Sequence, residues 1–99
     1  MHVQPAVLLP PDRVLSPAEA QAMQDRGEVA TWVVMCCDPR HPGGLVARPY
    51  TRQHGSVRPL ACVLVSATLA NLRAWLPAGV SRRGELAYLV PADTVEIWD

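Results

Sequence analysis

The sequence predicts an α+β domain, with a mainly antiparallel sheet of four to five strands and two helices. Three observations predict it. Apolar runs rich in β-formers recur at Val29–Cys37, Leu45–Thr51 and Leu60–Val65. Two helical stretches carry start signals, and clusters of Pro and Gly punctuate the rest. The 99 residues, 49% hydrophobic and 18% charged, are too apolar for a disordered chain and make one domain, 1–99. A chain this short buries roughly 60–65% of the surface its unfolded form exposes. That allows one modest core and argues against a deep, many-walled active site.

Residues 1–15 carry Pro5, Pro10 and Pro11 and read as an extended N-terminal arm. Ser16-Pro17-Ala18-Glu19 is a helix start. The Ser16 hydroxyl can accept from a backbone N–H of the first turn, Glu19 can reach back to the Ser16 N–H, and Pro17 loses a donor that was orphaned anyway. The helix Pro17–Arg26 shows a thin apolar face of Ala20 and Met23, and Gly27 stops it.

Val29–Cys37 is apolar on both faces, as in a central strand. The turn-rich Asp38–Gly44 then joins it to Leu45–Thr51 in a hairpin. Pro49 cannot donate to a ladder, which predicts an edge or a bulge there. Arg52–Pro59 reads as a loop and Leu60–Val65 as a third strand. Ser66 is the candidate cap of a helix over Thr68–Leu76 that aligns Leu69, Leu72, Trp75 and Leu76. Leu86–Val90 and Thr94–Trp98 are short strand candidates. If Leu60–Val65 and Thr94–Trp98 run parallel, the helix between them makes a right-handed crossover.

Charge is unevenly laid out. Nine Arg balance nine acids, yet no acid lies between Pro39 and Gly84, a stretch with seven Arg and a net charge of +7. Residues 1–38 carry net −3 and residues 85–99 net −4. This layout predicts a cationic patch drawn from Arg40, Arg48, Arg52, Arg58, Arg82 and Arg83, with Tyr50 and Trp98 as aromatic anchors. In the competing arrangement, Arg from the middle pair with acids from both ends and the surface is mixed. The chain has no Lys and no Phe, and only one Ile and one Asn, a composition that points to a GC-rich bacterial or phage genome. Part of the preference for Arg is then a codon effect.

Cys37, Asp38 and His41 lie within five residues, and His54 and Cys62 follow. They offer a nucleophile, an orienter and a base, or, through Cys37, His41, His54 and Cys62, a zinc set. Neither has a recognised spacing, so the expectation is no catalytic residue, no metal site and no cofactor. Asp38 reads as a turn former, His41 as exposed, and the three cysteines as buried core thiols. Cys36 and Cys37, alternating on a strand, should not pair or chelate together. Gly43-Gly44 precedes a strand, not a helix, and is no phosphate cradle. Apolar runs reach six residues, where a membrane helix needs about 20. No basic n-region is visible, so a soluble, cytoplasmic protein is expected.

The stretch Val63–Gly79, followed by Val95–Asp99, resembles small proteobacterial proteins with a strand, a T-L-x-x-L-R-x-x-L-P-x-G helix and a terminal V-E-x-W strand. That resemblance brings no known activity. The strand pair before a Leu-rich helix is also similar to antitoxin domains of the HicB type, without their acidic helix start. The expected function is a small non-enzymatic binding protein, phage or mobile-element encoded, that inhibits or regulates by occupying a partner's surface, as anti-CRISPR inhibitors do. The expected partner is a protein with an acidic surface. The alternatives are an antitoxin-like regulator or nucleic-acid-binding module using the Arg, and a Cys/His enzyme or zinc protein. Homo-oligomerisation is left open.

Overall fold

The computed structural model describes residues 11–83 and 93–99. The expected strand Leu86–Val90, most of the N-terminal arm and Glu85 lie outside the described residues. The fold is α+β. In chain order the elements are β1 (Arg13–Val14), α1 (Pro17–Asp25), β2 (Thr31–Met35), β3 (Leu45–Gln53), β4 (Ser56–Pro59), β5 (Cys62–Ser66), α2 (Leu69–Trp75) and β6 (Thr94–Trp98). The strands form one six-stranded sheet in the order β1-β5-β3-β2-β6, with β4 on β3. Only the β1–β5 pair is parallel.

Cross-strand partners share a face, so the register sorts the core. Trp32, Val34, Ala47, Cys62 and Leu64 face the helices and pack with Leu15, Ala20, Leu72 and Leu76. The Trp32 indole, fully buried, donates to Gln24 Oε1 of α1 at 2.9 Å. The opposite face carries Val33, Val46, Val63 and Ile97, also buried, and among them Arg48. Both faces of β2 are buried, as its unbroken apolar run predicts.

The expected capping box is present: Glu19 N–H donates to Ser16 Oγ at 3.1 Å and Ser16 N–H to Glu19 Oε1 at 3.0 Å. Gly27 follows α1 with φ +71, the left-handed position that ends a helix cheaply only with glycine. Helix α2 is capped by Thr68 and not by Ser66: Thr68 Oγ1 accepts from Asn71 N–H at 3.2 Å, and Ser66 Oγ accepts from Thr68 N–H.

Two expectations about topology are corrected. Arg52–Pro59 is not a loop, because β3 runs on to Gln53 and turns through His54 and Gly55 into β4. Both turn residues have positive φ (+50 and +80), the type I′ geometry that matches strand twist. Strands β5 and β6 lie two strands apart and, across three antiparallel pairings, run antiparallel, so α2 is no parallel crossover.

Pro49 lies away from the sheet edge, in β3 between β2 and the β4 and β5 strands, and the expected irregularity is there: the register shifts by two residues between Ala47↔Leu64 and Tyr50↔Pro59. It faces Leu60, in the break between β4 and β5, where Leu60 N–H donates to Pro49 O at 2.9 Å. The reciprocal bond would need an N–H that proline lacks. Arg48 supplies the donor instead: its Nη1 reaches Leu60 O at 2.8 Å. A proline is tolerated mid-sheet because the preceding side chain satisfies the stranded carbonyl.

Candidate functional site

Arg48 projects from the middle of the sheet and is 5% exposed. A guanidinium at such a place requires carboxylates, since an unpaired buried charge is prohibitively costly. None is a sequence neighbour, and both that pair with it come from earlier in the chain, 36 and 10 residues away. Asp12 accepts from Nη1 and Nη2, both at 2.7 Å, and Asp38 Oδ2 from Nη2 at 3.1 Å. Asp12, with a fully buried side chain, is the hub. It also accepts from Arg40 Nη1 at 2.9 Å and meets His41 Nε2 at 2.9 Å. Arg48 above all, then His41 and Arg40, hold the Asp12 carboxyl well below the usual carboxylate range against the opposing effect of burial. Burial raises Asp38, but the Arg40 backbone N–H and Arg48 outweigh it, and it too stays low. The expected turn at Asp38 forms, with Oδ1 accepting from Arg40 N–H at 2.9 Å. His41, expected to be exposed, is mostly buried against Asp12.

A second cluster lies on the helix side. Glu96, 6% exposed, takes a two-pronged hydrogen bond from Arg73 of α2, one from Arg82 Nη1 at 2.9 Å and one from the Trp98 indole at 3.1 Å. These partners, Arg73 first, hold its carboxyl down at about 2 against burial. Arg83 pairs with Asp99 at 2.7 Å. Trp98, expected as an exposed anchor, is half-buried against the core beside its cross-strand partner Trp32.

The single cationic patch expected from the charge layout is therefore not what forms. Arg40, Arg48, Arg82 and Arg83 each pair with a carboxylate, all of them with acids from the two segments that flank the acid-free stretch. The physical reason is the acid-free middle itself: its arginines enter or border the sheet, and only distant acids can neutralise them. The structure does bring Arg40, Arg48 and Tyr50 together, along a cleft of about 410 Å³ that also includes Met35, Asp38 and Pro59. Burial pushes the Tyr50 hydroxyl up.

Arg52 and Arg58 remain. Among the described residues no carboxylate pairs with either. Both are exposed on the β3–β4 hairpin, but their cross-strand partners are Val57 and Thr51, so they leave opposite faces of the ribbon. Val57, 43% exposed, lies beside Arg52.

Two of the three thiols depart from expectation. Cys62 is buried, and burial pushes its thiol up. Cys36 is half-buried and Cys37 exposed. Strand β2 ends at Met35, and Cys37 takes the left-handed φ of +61, so alternation no longer holds. The two sulfurs come to 3.5 Å, with Cys37 Sγ donating to Cys36 Sγ, a contact that raises the Cys37 thiol above its ordinary range. Among the described residues, His41, His54 and Cys62 join no set of three potential metal ligands. The expected turn from Cys37 to His41 thus assembles neither a triad nor the four-residue zinc set.

Asp12 was the residue of this cluster least visible in the sequence. Its one signal was an Arg-Pro pair in a strand flanked by two others, which demands a counter-charge from outside the acid-free stretch.

No protein-family model, curated protein or solved structure matches this chain. Among the described residues no helix is long and apolar enough to cross a membrane.

Proposed function

We propose that this chain is a non-catalytic binding domain that regulates a protein partner by seating its β3–β4 hairpin in an acidic groove of that partner. One observation carries the reading: among the described residues seven of the nine Arg pair with a carboxylate, while Arg52 and Arg58 on the hairpin do not. A two-stranded ribbon with a cation on each face and Val57 beside one of them suits a groove with acidic walls. Anti-CRISPR-type inhibitors and antitoxin-like regulators both act by such occupation. The three free cysteines support a reducing, cytoplasmic setting.

The test is a photo-crosslinking amino acid placed at Val57, with Ala18 on α1 as control, in the native cells. The reading expects a protein adduct from position 57 that disappears in Arg52→Glu/Arg58→Glu. Adducts from position 18 alone, or adducts insensitive to the double reversal, contradict it. Capture that is abolished by nuclease and falls steeply with salt would replace it with direct nucleic-acid binding.

A further inference from the structure

A β-bulge creates a second site that the proposed function does not use. Strand β6 pairs in register with β2 from Trp32↔Trp98 to Val34↔Glu96, then skips Val95, so that Met35 faces Thr94. The skip places Asp93 opposite Cys36, whose N–H donates to Asp93 O at 3.0 Å. Bulges re-aim side chains in this way, and they concentrate beside functional sites. On the other side, the positive φ of Cys37 folds its thiol back toward Cys36. The two sulfurs and an Asp93 carboxylate oxygen all lie within 4.8 Å of one another.

From this geometry we infer that Cys36, Cys37 and Asp93 form a binding site for one soft divalent cation of the zinc and cadmium class. With Zn–S bonds of about 2.3 Å and tetrahedral angles, two sulfurs on one zinc stand about 3.8 Å apart. The sulfurs here are at 3.5 Å, so chelation needs only a small rotamer adjustment. A carboxylate oxygen and a sulfur on the same ion stand about 3.5 Å apart, within the span of the cluster. Thiolates select soft cations over magnesium or calcium. Each thiol loses its proton on ligation, so one cation replaces two protons and no oxidant or reductant is needed. Three protein ligands leave a fourth position open to water. Cys37 and Asp93 are exposed, so the ion can reach the site from solvent.

The full-length chain, reduced and metal-free, is titrated with Cd²⁺ while thiolate-to-metal charge transfer is read in the ultraviolet. The inference expects saturation at one ion per chain and displacement by Zn²⁺. Cys37→Ser, at an exposed position, abolishes the band. Asp93→Asn keeps the band and weakens binding by at least the roughly 10-fold that losing even an outer carboxylate costs. Cys62→Ala, with its thiol outside the cluster, binds as the parent does. No band in the parent chain, or an undiminished band in Cys37→Ser, overturns the site. Loss of the band in a folded Cys62→Ala variant overturns it as well.

Discussion

Replacing Arg48 with Met is the sharpest perturbation of the fold. The guanidinium makes four hydrogen bonds, to Asp12 Oδ1 and Oδ2 at 2.7 Å, to Asp38 Oδ2 at 3.1 Å and to Leu60 O at 2.8 Å. Met fills similar apolar space and returns none of them. Asp12 keeps Arg40 and His41, but Asp38 is left with a backbone N–H and Leu60 O with no donor in place of Pro49. Breaking a buried pair by removing one partner costs about 3–5 kcal/mol, and the orphaned carbonyl pushes the loss toward the upper figure. Domains of this size are stable by about 5–15 kcal/mol, so the midpoint falls by tens of degrees. Urea unfolding followed by tryptophan fluorescence reports it, since Trp32 is fully buried. Adding Asp38→Asn to Arg48→Met should recover part of the loss by removing the charge left with only a backbone N–H, and Arg52→Met should change stability by less than about 0.5 kcal/mol. A loss below about 1 kcal/mol for Arg48→Met, the range of exposed ion pairs, would refute the reasoning.

Other predictions concern smaller features. Glu96 titrates at about 2 instead of its ordinary 4.5. A carboxyl lowered on folding contributes stability that is complete above the unfolded value and is lost as pH falls toward the folded one. Glu96→Gln should therefore flatten the loss of stability between pH 4.5 and 2 in acid titrations, and an unchanged slope there would contradict the Arg73 and Arg82 pairing. Ser16→Ala should cost about 1 kcal/mol in urea melts, because it removes one arm of the capping box. Gly55→Val should destabilise the β3–β4 hairpin, since φ of +80 strains any β-branched residue. Faster amide exchange confined to Thr51–Arg58 would show it, and unchanged exchange would count against the type I′ turn.

How much of this was legible depends on the range of each interaction. The α1 cap lies within four residues, and Ser16-Pro17-Ala18-Glu19 announces it. The double-sided apolar run of β2 announces a central strand. The hairpin past Tyr50 stayed hidden because His54-Gly55 is a weak turn signal beside Asn-Gly, and because Arg52 to Arg58 lack an apolar face. Pro49 announced a break in the ladder, which the two-residue register shift opposite it confirms, but not the Arg48 bond to Leu60 O, which depends on a partner 12 residues away. The fate of the arginines was the least legible of all. Linear charge blocks say where counter-charges are missing, not which ones folding will bring, and Asp12 meets Arg48 across 36 residues.

The most direct test compares two double reversals, Arg52→Glu/Arg58→Glu and Arg82→Glu/Arg83→Glu, for affinity toward the protein crosslinked at position 57. If internal pairing decides which cations are available, the hairpin pair loses roughly 10-fold or more, since like charges now face the acidic groove. The Arg82/Arg83 pair, whose charges already meet Glu96 and Asp99, should change affinity by far less. Equal losses from both variants would restore a single continuous cationic patch and contradict the account.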